Sequence, residues 1–160
     1  MEQADKAFAY ALRALTRRDH TVAELERKLR DRGFPADAGA EVVARLQRAG
    51  YLDDRRFAER WAEAAVRNGR GYGQRLRLDL ARRGVPREIA ADVVAAVSAA
   101  YVEAETLAAL VARKFAAFDP QAASDRDKRR VIAYLQRRGF STAAIFDFLL
   151  SDPDEWLHRD

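Results

Sequence analysis

The chain contains no cysteine, and its only two histidines stand at positions 20 and 158. Without thiols there is neither a disulfide framework nor a thiolate metal site, a pattern that fits a cytoplasmic protein. His20 falls in a turn just before Thr21 and His158 in the C-terminal tail, so the sequence offers no His/carboxylate cluster. Nucleophilic and metal-assisted catalysis lack their usual parts. The expectation is a non-enzyme with no catalytic residue, no metal and no cofactor. No apolar run approaches the roughly 20 residues needed to cross a bilayer. Met1 is followed by Glu2 and Asp5, so no secretory leader and no membrane association are expected. Lysine is scarce as well, with Lys6, Lys28, Lys114 and Lys128 the exceptions among 29 cations. Arginine suits planar, bidentate contacts to phosphate or carboxylate, although GC-rich codon usage produces the same bias. A net charge of +4 admits acidic partners.

What the chain does have is one helix ending written three times. It reads Leu-Arg-Asp-Arg-Gly-Phe at Leu29–Phe34, Leu-Ala-Arg-Arg-Gly-Val at Leu80–Val85 and Leu-Gln-Arg-Arg-Gly-Phe at Leu135–Phe140. The glycines Gly33, Gly84 and Gly139 lie 51 and 55 residues apart. A unit recurring at that interval marks an array of stacked modules. Four residues before the glycine stand Leu29, Leu80 and Leu135, and eight before it Leu25, Leu76 and Val131. Nine after it come Val42, Val93 and Phe148, so each unit has its own apolar register.

Nearly every segment has helical spacing. Phe8, Leu12 and Leu15 form the first stripe, and Thr21-Val22-Ala23-Glu24 is a capping box opening a second helix. Pro35 suits the first turn of a third helix carrying Val42, Val43 and Leu46. The second unit offers Phe57, Trp61 and Val66, then Leu76 and Leu80, then Ile89, Val93, Val94 and Val97 after Pro86. The third offers Leu107, Leu110, Val111 and Phe115, then Val131 and Leu135, then Ile145, Phe148 and Leu149. The fold expected is all-α, with three-helix repeats at 1–52, 53–101 and 102–152 and a tail at 153–160. One such unit buries its apolar face poorly alone, so the three are expected to stack into an elongated, curved array.

Several blocks resemble the RecX family of recombinase regulators. Gly50-Tyr51-Leu52-Asp53-Asp54-Arg55-Arg56-Phe57-Ala58 is similar to that family's most distinctive stretch. Arg67-Asn68-Gly69-Arg70-Gly71-Tyr72-Gly73, with Arg75-Leu76, Leu80 and Arg83-Gly84-Val85, matches the next block. Ala11-Leu12 through His20-Thr21-Ala23-Glu24-Leu25, then Leu29 and Gly33-Phe34, matches the first. The third unit is looser, with Ser141 where Pro35 and Pro86 stand in the others. The resemblance implies a monomeric, non-enzymatic negative regulator of RecA, active in homologous recombination, DNA repair and the SOS response. It would bind the RecA–single-stranded-DNA filament along its groove and suppress ATP hydrolysis, strand exchange and co-protease activity. A general DNA-binding helical-repeat protein, meeting single- or double-stranded DNA directly, is the alternative.

Comparing the units separates two kinds of arginine. Arg32, Arg83 and Arg138 precede every glycine, where a cation complements the helix dipole, so that position reads as structural. Nine and two residues before the glycine the first unit has Glu24 and Asp31, the second Arg75 and Arg82, the third Arg130 and Arg137. Positions seven apart share a helical face. Arg75, Arg82, Arg130 and Arg137, with the outward Leu78, are therefore the candidate partner- or nucleic-acid-binding residues, against the competing reading of an ordinary solvated face. Gly69, Gly71 and Gly73 lack the preceding strand and following Lys-Ser/Thr of a phosphate loop. They are expected to form a flexible joint anchored by Tyr72 and flanked by Arg67 and Arg70, which join the candidate contacts. Asp53 and Asp54 read as cap and dipole partners, with Arg55 and Arg56 nearby to neutralise them. Trp61, Tyr101 and Trp156 could stack on bases, but Trp61 reads better as core, and Trp156 fits either role.

Overall fold

Each repeated Leu-x-x-Arg-Gly-(Phe/Val) motif ends a helix in the same way. The amide of the residue after the glycine reaches back to the leucine carbonyl: Phe34 to Leu29 at 3.1 Å, Val85 to Leu80 at 3.1 Å and Phe140 to Leu135 at 3.2 Å. The glycines have φ of +89°, +82° and +95°, a left-handed backbone that a β-carbon makes costly. Helix runs into each of these stops from the N-terminal side and restarts within a few residues beyond it.

The computed structural model describes residues 2–151; Trp156, His158 and the tail expected at 153–160 lie outside them. The described residues form nine helices and no strand: α1 (Glu2–Arg17), α2 (Val22–Asp31), α3 (Ala36–Arg48), α4 (Asp54–Arg67), α5 (Gln74–Arg82), α6 (Arg87–Ala100), α7 (Glu103–Lys114), α8 (Asp125–Arg137) and α9 (Thr142–Leu150). They divide into two compact units. The first gathers the chain through Trp61 together with Leu78–Val93, and the second gathers Ala62–Arg77 with the described residues from Val94 onward.

In the first unit α1, α2 and α3 pack on one another. Their core is Ala7, Ala11, Leu25, Leu29, Val42, Val43 and Leu46, with Leu52. The α1 stripe expected from spacing is displaced. Phe8, Leu12 and Leu15 are only partly buried, and the fully buried positions are Ala7 and Ala11. Small residues bring α1 close to its neighbours, and the larger side chains line the edges of that contact. Thr21 caps α2 as its sequence suggests, accepting from the Glu24 amide at 3.1 Å. Phe57, Leu80, Val85 and Val93 are also buried, while Trp61 is half-buried.

In the second unit α9 packs on α7 and α8. Val66, Leu76, Val94, Val97, Leu107, Leu110, Val111, Val131, Leu135, Phe140 and Ile145 are buried. Ser141, the departure from proline, is the N-cap of α9 and accepts from the Ala144 amide at 3.2 Å. Its own amide, which proline would lack, donates to Glu103 at 2.6 Å. That bond disfavours proline here, and the hydroxyl cap accounts for serine. No single helix among the described residues is long and apolar enough to cross a membrane.

Candidate interaction surface and the joints that position it

The N-terminal end of α2 is bonded to the end of α5 within the first unit. Thr21 Oγ1 donates to the Arg83 carbonyl at 2.6 Å, and the Val22 amide donates to Asp54 at 2.9 Å. Glu24 pairs with Arg18 at 2.9 Å and with Arg83 at 3.2 Å. Burial pushes the Glu24 carboxyl up, but the Arg18 hydrogen bond and the charges of Arg18 and Arg83 leave it below the usual carboxylate value. Asp54 moves the other way. Burial raises it, and the Val22 amide only partly opposes that rise. His20, 4% exposed, donates through Nδ1–H to the Arg18 carbonyl at 2.9 Å and leaves Nε2 without a partner among the described residues. Burial first, and then the Arg18 charge, lowers its pKa below the ordinary histidine value.

The aspartate pair at the start of α4 therefore splits its work. Asp53 caps the helix by accepting from the Arg56 amide at 3.0 Å, and Asp54 reaches across to α2. Arg55 and Arg56 do not neutralise them. Arg55 bonds Asp92 at 3.1 Å and Arg56 bonds the Gly50 carbonyl at 2.8 Å.

A joint of the same plan lies inside the second unit. The Tyr72 amide donates to the Arg138 carbonyl at 2.7 Å, and Arg138 Nη1 returns to the Arg70 carbonyl at 3.2 Å. The Tyr72 ring stacks on Phe140 with centroids 5.2 Å apart and planes 7° from parallel. Its hydroxyl donates to the Tyr101 carbonyl at 2.8 Å. Tyr72 is 5% exposed, and Gly69 and Gly71 are buried. A β-carbon on Gly139 would overlap the Tyr72 carbonyl oxygen. The glycine-rich segment expected to be a flexible joint is thus pinned at its amide, its ring and its hydroxyl. The sequence shows three glycines but not the helix end on which they dock.

The arginines before each glycine lie over aromatic rings: Arg32 over Tyr10 at 5.9 Å, Arg83 over Trp61 at 5.4 Å and Arg138 over Tyr134 at 5.0 Å. This recurring contact is a structural role that dipole reasoning alone does not find.

The remaining candidates divide by environment. Arg130 and Arg137, seven residues apart on α8, are both exposed and have no ion-pair partner among the described residues. Arg126 and Arg129 add two further exposed guanidiniums to α8 in the same condition. Arg130 stands over the Phe115 ring at 5.9 Å, at the edge of an open groove of about 740 Å³ lined by Lys114, Phe115, Phe118 and Val131. On α5, Arg82 is exposed beside Asp79 at 3.5 Å and Leu78 is 50% exposed. Arg75 is half-buried, its stem packed against Gly71 and Gly139. Arg67 is exposed, 3.8 Å from Glu63, while its carbonyl accepts from Arg113 at 3.3 Å. Arg70 is exposed. The sequence comparison missed Arg126 and Arg129, because it looked only at positions shared by all three units. Among the described residues no cluster of His, Asp and Glu is arranged to hold a metal ion.

Models of the first, second and third three-helix domains of RecX match residues 7–46, 53–94 and 102–149. The chain is 46% identical over 143 residues to the regulatory protein RecX of Trichlorobacter lovleyi, covering 89% of this chain and 93% of that one. It is 36% identical over 142 residues to the regulatory protein RecX of Syntrophotalea carbinolica, with the same coverage of 89% and 93%. The crystal structure of RecX from Lactobacillus salivarius shares the fold with a TM-score of 0.73 over 97% of both chains, at 22% identity. A helix ending used three times, two joints built on it and matches to all three domain models lead to one assignment: the chain belongs to the RecX family of regulatory proteins.

Proposed function

We propose that the chain is a negative regulator of RecA, binding the RecA–single-stranded-DNA filament along its groove. It is not an enzyme, needs no cofactor and acts as a cytoplasmic monomer. Binding lowers the filament's ATPase, strand-exchange and co-protease activities. The observation that carries this reading, beyond membership of the family, is the exposed arginine face of α8. Arg126, Arg129, Arg130 and Arg137 have no ion-pair partner among the described residues, so a polyanionic partner meets guanidiniums that need not first leave a carboxylate. Within the same unit Arg67 and Arg70 add exposed cations, with Arg75 and Tyr72 as supports, and in the first unit Arg82 and Leu78 are separate candidate contacts.

RecA ATPase on single-stranded DNA, with and without the chain, tests the activity. Inhibition of nascent filaments alone indicates capping of growth, and equal inhibition of preformed filaments indicates groove occupancy. An Arg75/Arg82/Arg130/Arg137 charge-reversal variant that folds should lose filament affinity, and unchanged affinity removes the assigned surface. The second reading, direct binding of bare DNA, is favoured by the basic excess of the second unit. It predicts affinity for bare DNA that falls with salt at a log–log slope of about 0.9 per phosphate contact. Weak bare-DNA binding beside tight filament binding decides for the regulator.

A further inference from the structure

The joint plan is used twice inside this chain, and a third accepting end stands open. In both joints the residue 12 positions before one repeat's glycine donates to the carbonyl just before the next repeat's glycine, Thr21 to Arg83 and Tyr72 to Arg138. In both, the receiving glycine is covered so closely that a β-carbon would overlap the docked segment, Ala23 at Gly84 and the Tyr72 carbonyl at Gly139. The first repeat ends with the same bonding, yet nothing lies within 4 Å of a β-carbon built on Gly33. Arg32 and Gly33 are exposed, and the Arg32 carbonyl accepts no hydrogen bond among the described residues. Arg32 has no carboxylate partner among the described residues, whereas Arg83, its counterpart, has Glu24 at 3.2 Å.

We infer that this Arg32–Gly33 end is a docking surface for the first turn of a helix from a partner protein. The first joint sets the chemistry. The partner supplies a hydroxyl or amide donor to the Arg32 carbonyl, a residue as small as alanine against Gly33, and a first-turn carboxylate for the Arg32 guanidinium. Carboxylates are common in that turn because they complement the helix dipole. A second copy of this chain is the poorer occupant. Its corresponding helix, α8, starts 14 residues before its glycine, where α2 starts 11 before its own. The residue 12 before its glycine, Asp127, lies inside that helix with its amide already donating to Ser124 Oγ at 3.2 Å, so it offers no free donor. The position matching Glu24 is Arg130, which brings a cation to Arg32. The inference rests on the filament reading above, with the helix belonging to the filament's protein.

Two variants test it in the full chain, Arg32→Glu and Gly33→Asn. Asparagine enters the left-handed region more readily than other side chains, and its β-carbon has open space here. Circular dichroism and thermal unfolding verify that both variants fold. Affinity for RecA–single-stranded-DNA filaments, read by fluorescence anisotropy, is expected to fall at least about ten-fold in each, or about 1.4 kcal/mol. Undiminished affinity in both folded variants overturns the docking surface and leaves the filament reading standing. A wild-type chain that does not bind filaments removes both. Head-to-tail association in sedimentation that Arg32→Glu abolishes assigns the surface to a second copy and overturns the inference as stated.

Discussion

The first unit closes its joint with ionisable side chains, whereas the second closes the equivalent joint with backbone amides and stacked rings. Glu24 sits between Arg18 and Arg83, so the first joint consumes a carboxylate and two guanidiniums. In the second, Arg138 is satisfied by the Arg70 carbonyl and Tyr72 by Phe140, and no carboxylate is needed. The charge balance follows the same line. Over the described residues the first unit carries 16 basic against 14 acidic side chains, and the second 12 against 7. Nine residues before the glycine, Glu24 thus serves the first joint, whereas Arg130 is left exposed on α8.

Breaking the glycines gives the widest separation. Gly139→Ala should cost more than about 3 kcal/mol, because a strained backbone is joined by overlap with the Tyr72 carbonyl. Gly33→Ala, in open space, should cost only the left-handed backbone, about 1–2 kcal/mol. Urea unfolding measures both, and equal losses would erase the difference between a covered and an open helix end.

Tyr72→Phe keeps the stack on Phe140 and removes the hydroxyl bond to Tyr101, for a loss of about 1 kcal/mol. A loss as large as that of Gly139→Ala would mean that the hydroxyl, and not the ring and amide, holds the second joint.

The next contrast depends on pH. His20 has a folded pKa below its unfolded value of 6.5, so its contribution is complete above 6.5 and is lost as pH falls toward the folded value. The second unit has no histidine among the described residues. Unfolding midpoints between about pH 7.5 and 5.5 should therefore decline in wild type and flatten in His20→Gln. Asp54 has the opposite sign. Its raised pKa gives a contribution that is full below 3.8 and lost as pH rises through the folded value. A slope that His20→Gln leaves intact would place the sensitivity elsewhere. Smallest of all, Arg130→Glu with Arg137→Glu should change stability by less than about 0.5 kcal/mol, since neither is ion-paired among the described residues. A larger loss would show that the α8 face is part of the packing.

Local signals were easily legible. The glycine stops, the Thr21 cap and the buried Leu25, Leu29, Leu76, Leu80, Val131 and Leu135 follow from short-range spacing, because helix ends and helical faces are decided within a few residues. What spacing does not contain is the partner across a joint. Nothing near Gly71 announces that Tyr72 will meet Phe140, 68 residues later in sequence. The same limit hid the burial of Ala7 and Ala11 in place of Phe8 and Leu12, a choice made by how closely α2 and α3 approach. For the candidate surface, repeat comparison singled out Arg130 and Arg137, which are exposed. It could not foresee that the stem of Arg75 is drawn into the second joint.

The pinned segment from Asn68 to Gly73 has a consequence for how chain length can vary among relatives. Adding or removing one residue there would shift the Tyr72 amide off the Arg138 carbonyl and its ring off Phe140 together. The irregular stretch between Lys114 and Asp125 is held to the rest of its unit by the Phe115 ring on Tyr134 and by the Gln121 side chain on the Ser151 carbonyl. Its backbone amides bond only locally among the described residues, and it lines an open groove. Insertions and deletions should therefore gather in that later stretch, and the spacing from Gly69 to Leu76 should stay constant.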